Sequence, residues 1–256
     1  MLYNHSPEHT LMRGILKLFS WLYTGWCLFW FLLIFLLLFP IIFISLQKEE
    51  WKIVVHYCCR IWGRIFLFMA GMPVKITYEA KLDSKQAYVF CANHFSYLDI
   101  ALMGTIIKNY FAFLGKSSVK NVPLFGYMFA KAHIQVDRSD KNSRTKALKR
   151  SIKALKSGRS IMIFPEGGIH TTNFPQMVQP FKDGAFTMAI ENQVPIVPIS
   201  LLDNYKVMPN IRMSWHPVRV IFHTPIETKG KTKEAIEDLK KQVYDVIQPT
   251  LNKYQD

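Results

Sequence analysis

The chain has 256 residues and a net charge of +14, from 32 Lys and Arg against 18 Asp and Glu, and half of it is apolar. That apolar content excludes a disordered tail, and 12 Gly with 13 Pro exclude a collagen-like or low-complexity chain. The length predicts one or two domains with a full core.

Residues 21–46 carry no charge. As a helix this run extends roughly 39 Å at ~1.5 Å per residue, against a hydrocarbon thickness of ~30 Å. It is long enough to cross a bilayer, with a kink expected at Pro40. Trp21, Tyr23 and Trp26 gather at one end, as interfacial aromatics do. A signal peptide has a shorter apolar stretch and a small-residue cleavage site, which does not follow here. The second apolar stretch, 65–74, is too short to cross; with Arg60 and Arg64 before it, it reads as a helix in the interface, or else as an ordinary core helix. Residues 1–74 are therefore expected to form a membrane-anchoring helical region. Cys27, Cys58, Cys59 and Cys91 contain no CxxC pair, so neither a disulfide scaffold nor a structural zinc site is expected. Cys27 and Cys91 read as small apolar residues, which suits a reducing compartment.

From residue 75 to 256 short β-rich runs alternate with helical ones. Strands are predicted at Ala87–Cys91, Phe111–Leu114, His133–Val136, Ser160–Phe164, Val194–Ile199 and Val218–Phe222. Helices are predicted at Leu98–Ile107, Leu124–Ala130, Ser143–Ser157, Ala185–Asn192 and Lys233–Leu251. This alternation predicts an α/β layered domain with a largely parallel core sheet. In the 143–157 helix, Leu148, Ile152 and Leu155 form one apolar stripe, with Arg144, Lys146, Lys149, Arg150, Lys153 and Lys156 on the other faces. Those cations form either a solvated face or a docking surface for anionic lipid or an acidic carrier protein. Most of the net charge, about +11, falls after residue 74. A basic domain behind a membrane anchor points to anionic lipid or an acidic substrate or carrier. No zinc finger, RNA-recognition motif or arginine-rich tail supports nucleic acid.

Two segments stand directly after predicted strands. The first is Asn93-His94-Phe95-Ser96-Tyr97-Leu98-Asp99. On a regular helix His94 and Asp99 would diverge by roughly 140°. They meet if His94 lies in the strand-to-helix loop and Asp99 in the first helical turn. A carboxylate on one imidazole nitrogen fixes the tautomer and leaves the other nitrogen as a general base. Taken alone, the segment also reads as a helix N-terminus with a satisfied surface histidine. The second segment is Phe164-Pro165-Glu166-Gly167-Gly168, whose glycines permit close approach of a ligand to backbone, or form a plain turn. Gly115-Lys116-Ser117 is not a phosphate loop, because Tyr110 stands where the first Gly is required, and no GxSxG nucleophile elbow is present. His94 and Asp99 lack the third ligand a metal needs. His5 and His9, spaced i and i+4, are not read as a ligand pair.

Taken together these segments resemble the glycerolipid acyltransferase family, especially the bacterial 1-acylglycerol-3-phosphate acyltransferases. Asn93-His94 through Asp99 is similar to its HxxxxD block. Gly115-Lys116, Pro123-Leu124-Phe125-Gly126 and Val136-Asp137-Arg138 resemble the second block. Phe164-Pro165-Glu166-Gly167 resembles the start of the third, and Val194-Pro195-Ile196-Val197-Pro198-Ile199 the fourth. The resemblance implies His94 as general base, Asp99 as its orienting partner, and Lys116 and Arg138 as contacts to the acceptor's phosphate. Glu166 and Gly167 would place the acceptor. It implies acyl transfer from acyl-CoA or an acyl carrier protein to the free hydroxyl of 1-acylglycerol-3-phosphate, forming phosphatidic acid without a cofactor, at the cytoplasmic side of a bacterial inner membrane. The family's third block commonly continues Thr-Arg-Ser, whereas this chain has Gly168-Ile169-His170. The missing Arg removes one phosphate contact, which His170 or Lys182 would have to replace. It keeps open another acceptor, such as an amino-acid-based lysolipid. A non-catalytic membrane-anchored module that binds anionic lipid is the rival from another class. Backbone amides near Gly167 are the candidate oxyanion donors.

Overall fold

The computed structural model describes the backbone of residues 7–209 and 212–255 and the side chains from Gly14 onward, so the side chains of His5 and His9 lie outside the described residues. The chain runs α1 (Pro7–Ser45), α2 (Lys52–Met69), β1 (Val74–Tyr78), β2 (Val89–Ala92), α3 (Leu98–Ile106) and β3 (Phe111–Lys116). It continues through α4 (Phe125–Ala132), β4 (Ile134–Val136), α5 (Lys141–Lys156), β5 (Ser160–Ile163), α6 (Gly184–Asn192) and β6 (Ile196–Leu201). The short α7 (Asn204–Val207), β7 (Val218–Phe222) and α8 (Ile236–Lys253) complete it. Short 3₁₀ turns precede α2, α4 and α8.

α1 takes in the uncharged run up to Ser45 and stays helical through Pro40. α2 returns antiparallel along it. Trp62 packs on Phe31 and Phe35, and its indole N–H donates to the Phe31 carbonyl at 2.8 Å. At the far end Tyr23 donates to Ala70 O at 2.8 Å and Trp26 to Met69 O at 2.7 Å. The 65–74 stretch is not a helix of its own: it is the end of α2, a turn and the first residue of β1. α2 buries Val55, Cys58, Trp62 and Phe66 on one face and exposes Ile53, Tyr57, Ile61 and Phe68 on the other. Apolar residues thus cover both faces, and only one face finds protein. α1 likewise exposes Phe19, Leu22, Phe29 and Leu37.

Seven strands form one sheet in the order β1-β7-β6-β2-β5-β3-β4. Every pairing is parallel except β6 with β7. The mixed, largely parallel sheet bears out the α/β expectation. Its central strands β2, β5 and β6 are buried throughout, as parallel strands covered on both faces must be. One apolar cluster joins α1, α2, α3 and α4 to one face of the sheet, with Phe35, Trp62, Leu102, Phe113 and Met128 among its members. A second joins α5, α6 and α8 to the other face, through Ala147, Leu155, Phe186, Met188 and Val243. β1 has no counterpart among the predicted strands. It is an edge strand with four of five residues exposed, so no buried run marks it. α4 begins after Leu124 and not at it, because Leu124 takes φ +58°, outside helical geometry.

Candidate active site

β2 lies at the centre of the sheet between β5 and β6, all three parallel, so their carboxyl ends open on one edge. Ligands bind at that edge in open α/β sheets. Asn93 ties the end of β2 to the end of β6: its amide nitrogen donates to Leu201 O at 3.0 Å, and its amide oxygen accepts from Leu201 N at 2.8 Å. The chain then leaves the sheet as a tight loop around the Asp99 carboxylate. Asp99 Oδ2 accepts from Phe95 N at 2.8 Å and Ser96 N at 2.9 Å, and lies 2.9 Å from His94 Nδ1. Asp99 is in the first turn of α3 and fully buried; His94 is in the loop before it and 8% exposed. The loop, not the helix, removes the angular divergence of a five-residue spacing. With Nδ1–H donating to the carboxylate, Nε2 is the unprotonated nitrogen. The imidazole stacks on Phe164 with ring centroids 3.9 Å apart and planes 12° from parallel.

Glu166 lies beneath this loop, 3% exposed. Its Oε1 accepts from the His94 backbone N–H at 2.7 Å and its Oε2 from Val178 N–H at 2.9 Å. Burial pushes its carboxyl up to about 7, against the opposing pull of those two N–H donors. Both oxygens therefore already hold main chain. Gly167 follows at φ +84°, a conformation that favours glycine, and a Cβ there would touch the Lys182 side chain at 3.5 Å. The Gly167 N–H donates to Phe164 O at 3.0 Å to close this turn, so that amide is not free for an oxyanion.

The remaining predicted residues fall into two places. Arg138, Gly167 and Lys182 line one cavity of about 820 Å³ together with Phe164 and Arg144. Lys116 ends β3, exposed, paired in register with Val136, and does not line that cavity. His170 is exposed and folds back against Gly168. A second cavity of about 400 Å³ lies on the opposite side of the sheet, between α2, α3 and α4. Its walls are mostly apolar, with Phe31, Trp62, Ile100, Phe113, Phe125 and Met128 among them, and Lys52, His56, His133 and Arg159 also line it. Tyr97 and Ala101 of the His94–Asp99 segment and α3 form part of its wall, so it adjoins the histidine loop. The sequence reading missed Asn204, whose side-chain N–H donates to Asp99 Oδ1 at 2.6 Å from the start of α7. Nothing local marks it, because 105 residues separate the pair.

A family model described as Acyltransferase matches residues 73–202, just over half of the chain. The chain belongs to this family. The match spans the His94–Asp99 loop, the Glu166–Gly167 turn and β6. A 1-acyl-sn-glycerol-3-phosphate acyltransferase of Saccharomyces cerevisiae is 30% identical over 203 residues, covering 75% of this chain and 64% of that protein. A chloroplastic 1-acyl-sn-glycerol-3-phosphate acyltransferase of Brassica napus is 31% identical over 188 residues, covering 72% of this chain and 54% of that protein. The chain thus spans about half to two thirds of the length of these curated relatives. The crystal structure of the 1-acyl-sn-glycerophosphate (LPA) acyltransferase from Thermotoga maritima superposes with a TM-score of 0.74. It is 21% identical and covers 93% of this chain and 97% of that one, so the two share a fold, the N-terminal helices included.

Proposed function

We propose that this acyltransferase-family protein transfers an acyl group from a thioester to the free hydroxyl of 1-acylglycerol-3-phosphate, forming phosphatidic acid. The observation that carries the reading is the buried His94–Asp99 pair at the strand ends, with an apolar cavity beside its loop. His94 Nε2 takes the hydroxyl proton as that oxygen attacks the thioester carbonyl. The C–S bond breaks, and the imidazolium returns the proton to the leaving sulfur. Asp99 stabilises the imidazolium in between. A thiol with pKa near ~8.5 leaves readily, so no acyl-enzyme is needed. Glu166 acts through backbone by fixing the His94 N–H. Arg138, with Lys182 on the same cavity, meets the acceptor's phosphate, and the apolar cavity takes an acyl chain. No protein-bound cofactor enters this scheme; the donor, acyl-CoA or an acyl carrier protein, is a substrate.

The test is a panel of lysolipid acceptors offered with a labelled acyl thioester, read by product identity. Phosphatidic acid from lysophosphatidate is expected. Arg138→Ala should lower kcat/KM about tenfold to a hundredfold for phosphate-bearing acceptors, since charged hydrogen bonds are worth ~1.5–3 kcal/mol. It should spare phosphate-free acceptors, and Arg138→Lys should recover only part. Ile169, in place of the family's Arg, favours the second reading, a different lysolipid acceptor. A wild type indifferent to the phosphate would establish that reading instead. Lipid binding without any acyl transfer would leave the non-catalytic module.

We also propose that residues 1–74 anchor the catalytic part, 75–256, at the cytoplasmic side of a bacterial inner membrane. The exposed apolar side chains of α1 and α2 support this. The chain should resist extraction by salt or carbonate and dissolve in detergent; release by high salt alone would reduce these helices to a peripheral contact.

A further inference from the structure

Three cations meet in a cleft that the proposed chemistry does not use. Arg60 and Arg64 of α2, Tyr78 at the end of β1 and Lys108 just after α3 line a cavity of about 420 Å³, together with Leu67 and Phe68. No acidic residue lines it, and neither His94, Asp99, Arg138 nor Lys182 does. None of the ion pairs among the described residues involves Arg60, Arg64 or Lys108. Arg60 and Arg64 are four residues apart on one helix, where like charges repel. Burial, and then Arg64, hold the Arg60 guanidinium below its ordinary value. Arg60 Nε donates to the Thr105 carbonyl, in the last turn of α3, at 3.4 Å. A helix C-terminus carries about half a negative charge, so the end of α3 leaves roughly +2.5 of the three positive charges unopposed. A partly buried cleft with that charge calls for an anion.

The apolar part of the cleft selects the anion. Arg60, Arg64 and Phe68 follow at four-residue intervals, so one stripe of α2 carries two charges and then an aromatic ring, about 12 Å from first to last. Phe68 is 81% exposed, and Ile61 and Ile65 of α2 and Ile76 of β1 are exposed as well. These side chains continue the apolar surface of α1 and α2. A small soluble phosphate would leave Phe68 in water, whereas a phospholipid covers it.

We propose that this cleft binds one anionic phospholipid of the surrounding leaflet, with Arg60, Arg64 and Lys108 on its phosphate and Phe68 against an acyl chain. Arg meets phosphate through paired N–H donors and Lys as a point charge. A zwitterionic lipid brings its own cation into the same positive field and binds less well. The lipid is a ligand here and not a substrate, and the site does not depend on the acyl-transfer reading, so its test needs no turnover.

The full chain in detergent is titrated with dioleoyl-phosphatidylglycerol or dioleoyl-phosphatidylcholine, and retained lipid is counted by native mass spectrometry. Wild type should hold phosphatidylglycerol at least about tenfold more tightly. Arg60→Gln/Arg64→Gln should weaken phosphatidylglycerol at least about tenfold, through lost charged hydrogen bonds, and leave phosphatidylcholine within about twofold. Arg60→Lys/Arg64→Lys should recover part of the loss. Lys108→Gln keeps the Arg60–Thr105 contact and should show a smaller loss, so the test survives a double variant that does not fold. Lys149→Gln/Lys153→Gln removes the same charge from α5 and should change nothing, and millimolar inorganic phosphate should not displace the lipid. Equal binding of the two lipids by wild type overturns the proposal, as does unchanged phosphatidylglycerol binding in either cleft variant. An equal loss in the α5 variant would make the effect one of overall charge, and displacement by inorganic phosphate would make the cleft a site for a soluble anion; either result also overturns it.

Discussion

The Asp99 carboxylate concentrates more hydrogen bonds than any neighbour in the site. Oδ2 holds the His94 ring and two loop N–H groups, and Oδ1 holds Asn204. Asp99→Asn keeps the shape but loses the charge that stabilises the imidazolium. Its kcat should fall on the order of 10²–10⁴-fold with little change in acceptor KM; a pure KM effect would make Asp99 a substrate contact. Asn204→Ala removes the one donor on Oδ1. The carboxylate that orients His94 is then held less firmly, so kcat should fall with little change in acceptor KM. An unchanged kcat would show that Asn204 does not position Asp99. Glu166 supplies a pH signature. Its folded pKa of about 7 lies above its ordinary 4.5. The contribution to stability is therefore full below the ordinary value and is lost as pH rises through about 7. Relative to Glu166→Gln, the wild type should lose stability between pH 5 and 8 in thermal melts. A constant difference would refute the raised pKa. His94 and Asp99 were legible in the sequence because one loop contains both. Asn204 was not, because only the parallel register of β2 and β6 brings it there.

Between elements, α2 and α3 approach at a single glycine. A Cβ on Gly63 would sit 1.7 Å from Thr105 Oγ1 and 2.9 Å from its Cβ. Thr105 already donates to Ala101 O at 2.7 Å, and a β-branched residue in a helix has little rotamer freedom to yield. Gly63→Ala must therefore push the helices apart, at a cost of about 1–3 kcal/mol. At roughly 2–4 °C per kcal/mol this is measurable as a lower Tm in detergent. Adding Thr105→Ala removes the nearest atom and should recover part of the loss; a strictly additive double variant would show that the two sites do not touch. Gly63 also lines the apolar cavity, so the same displacement alters the space proposed for an acyl chain. Periodicity located the buried strands well, since β2, β5 and β6 are mainly apolar runs. It missed β1, where Val74–Tyr78 does alternate but is a short edge strand with four of five residues exposed. It also assigned 65–74 to a separate element, because apolar residues on both faces of α2 conceal where protein contact stops.

At the scale of the whole molecule, α1 is held by the catalytic part at both of its ends. Near its start, Met213 N donates to Thr24 Oγ1 at 2.9 Å, Ser20 donates to Met213 O at 3.4 Å, and the Arg212 guanidinium lies 5.9 Å from the centre of the Trp21 ring. Near its end, Phe43 stacks on Tyr127 and Gln47 donates to the Tyr127 hydroxyl at 3.2 Å. Ser20 and Phe43 are roughly 35 Å apart along a helix rising ~1.5 Å per residue. A loop and a helix of one folded, charged part that reach both points cannot lie on opposite sides of ~30 Å of hydrocarbon. α1, although long enough to cross, is thus expected to lie along the catalytic part with its exposed side in one leaflet. Length and composition could not distinguish these two orientations, because both need the same apolar run; the contacts at Met213 and Tyr127 favour the second. Lys17→Cys and Lys48→Cys, each exposed in the wild type, bracket the uncharged run. In sealed vesicles with the catalytic part outside, a membrane-impermeant maleimide should label both positions, with wild type as the blank for Cys27, Cys58, Cys59 and Cys91. If one position reacts only after the vesicles are permeabilised, α1 crosses the bilayer and the one-leaflet orientation is wrong.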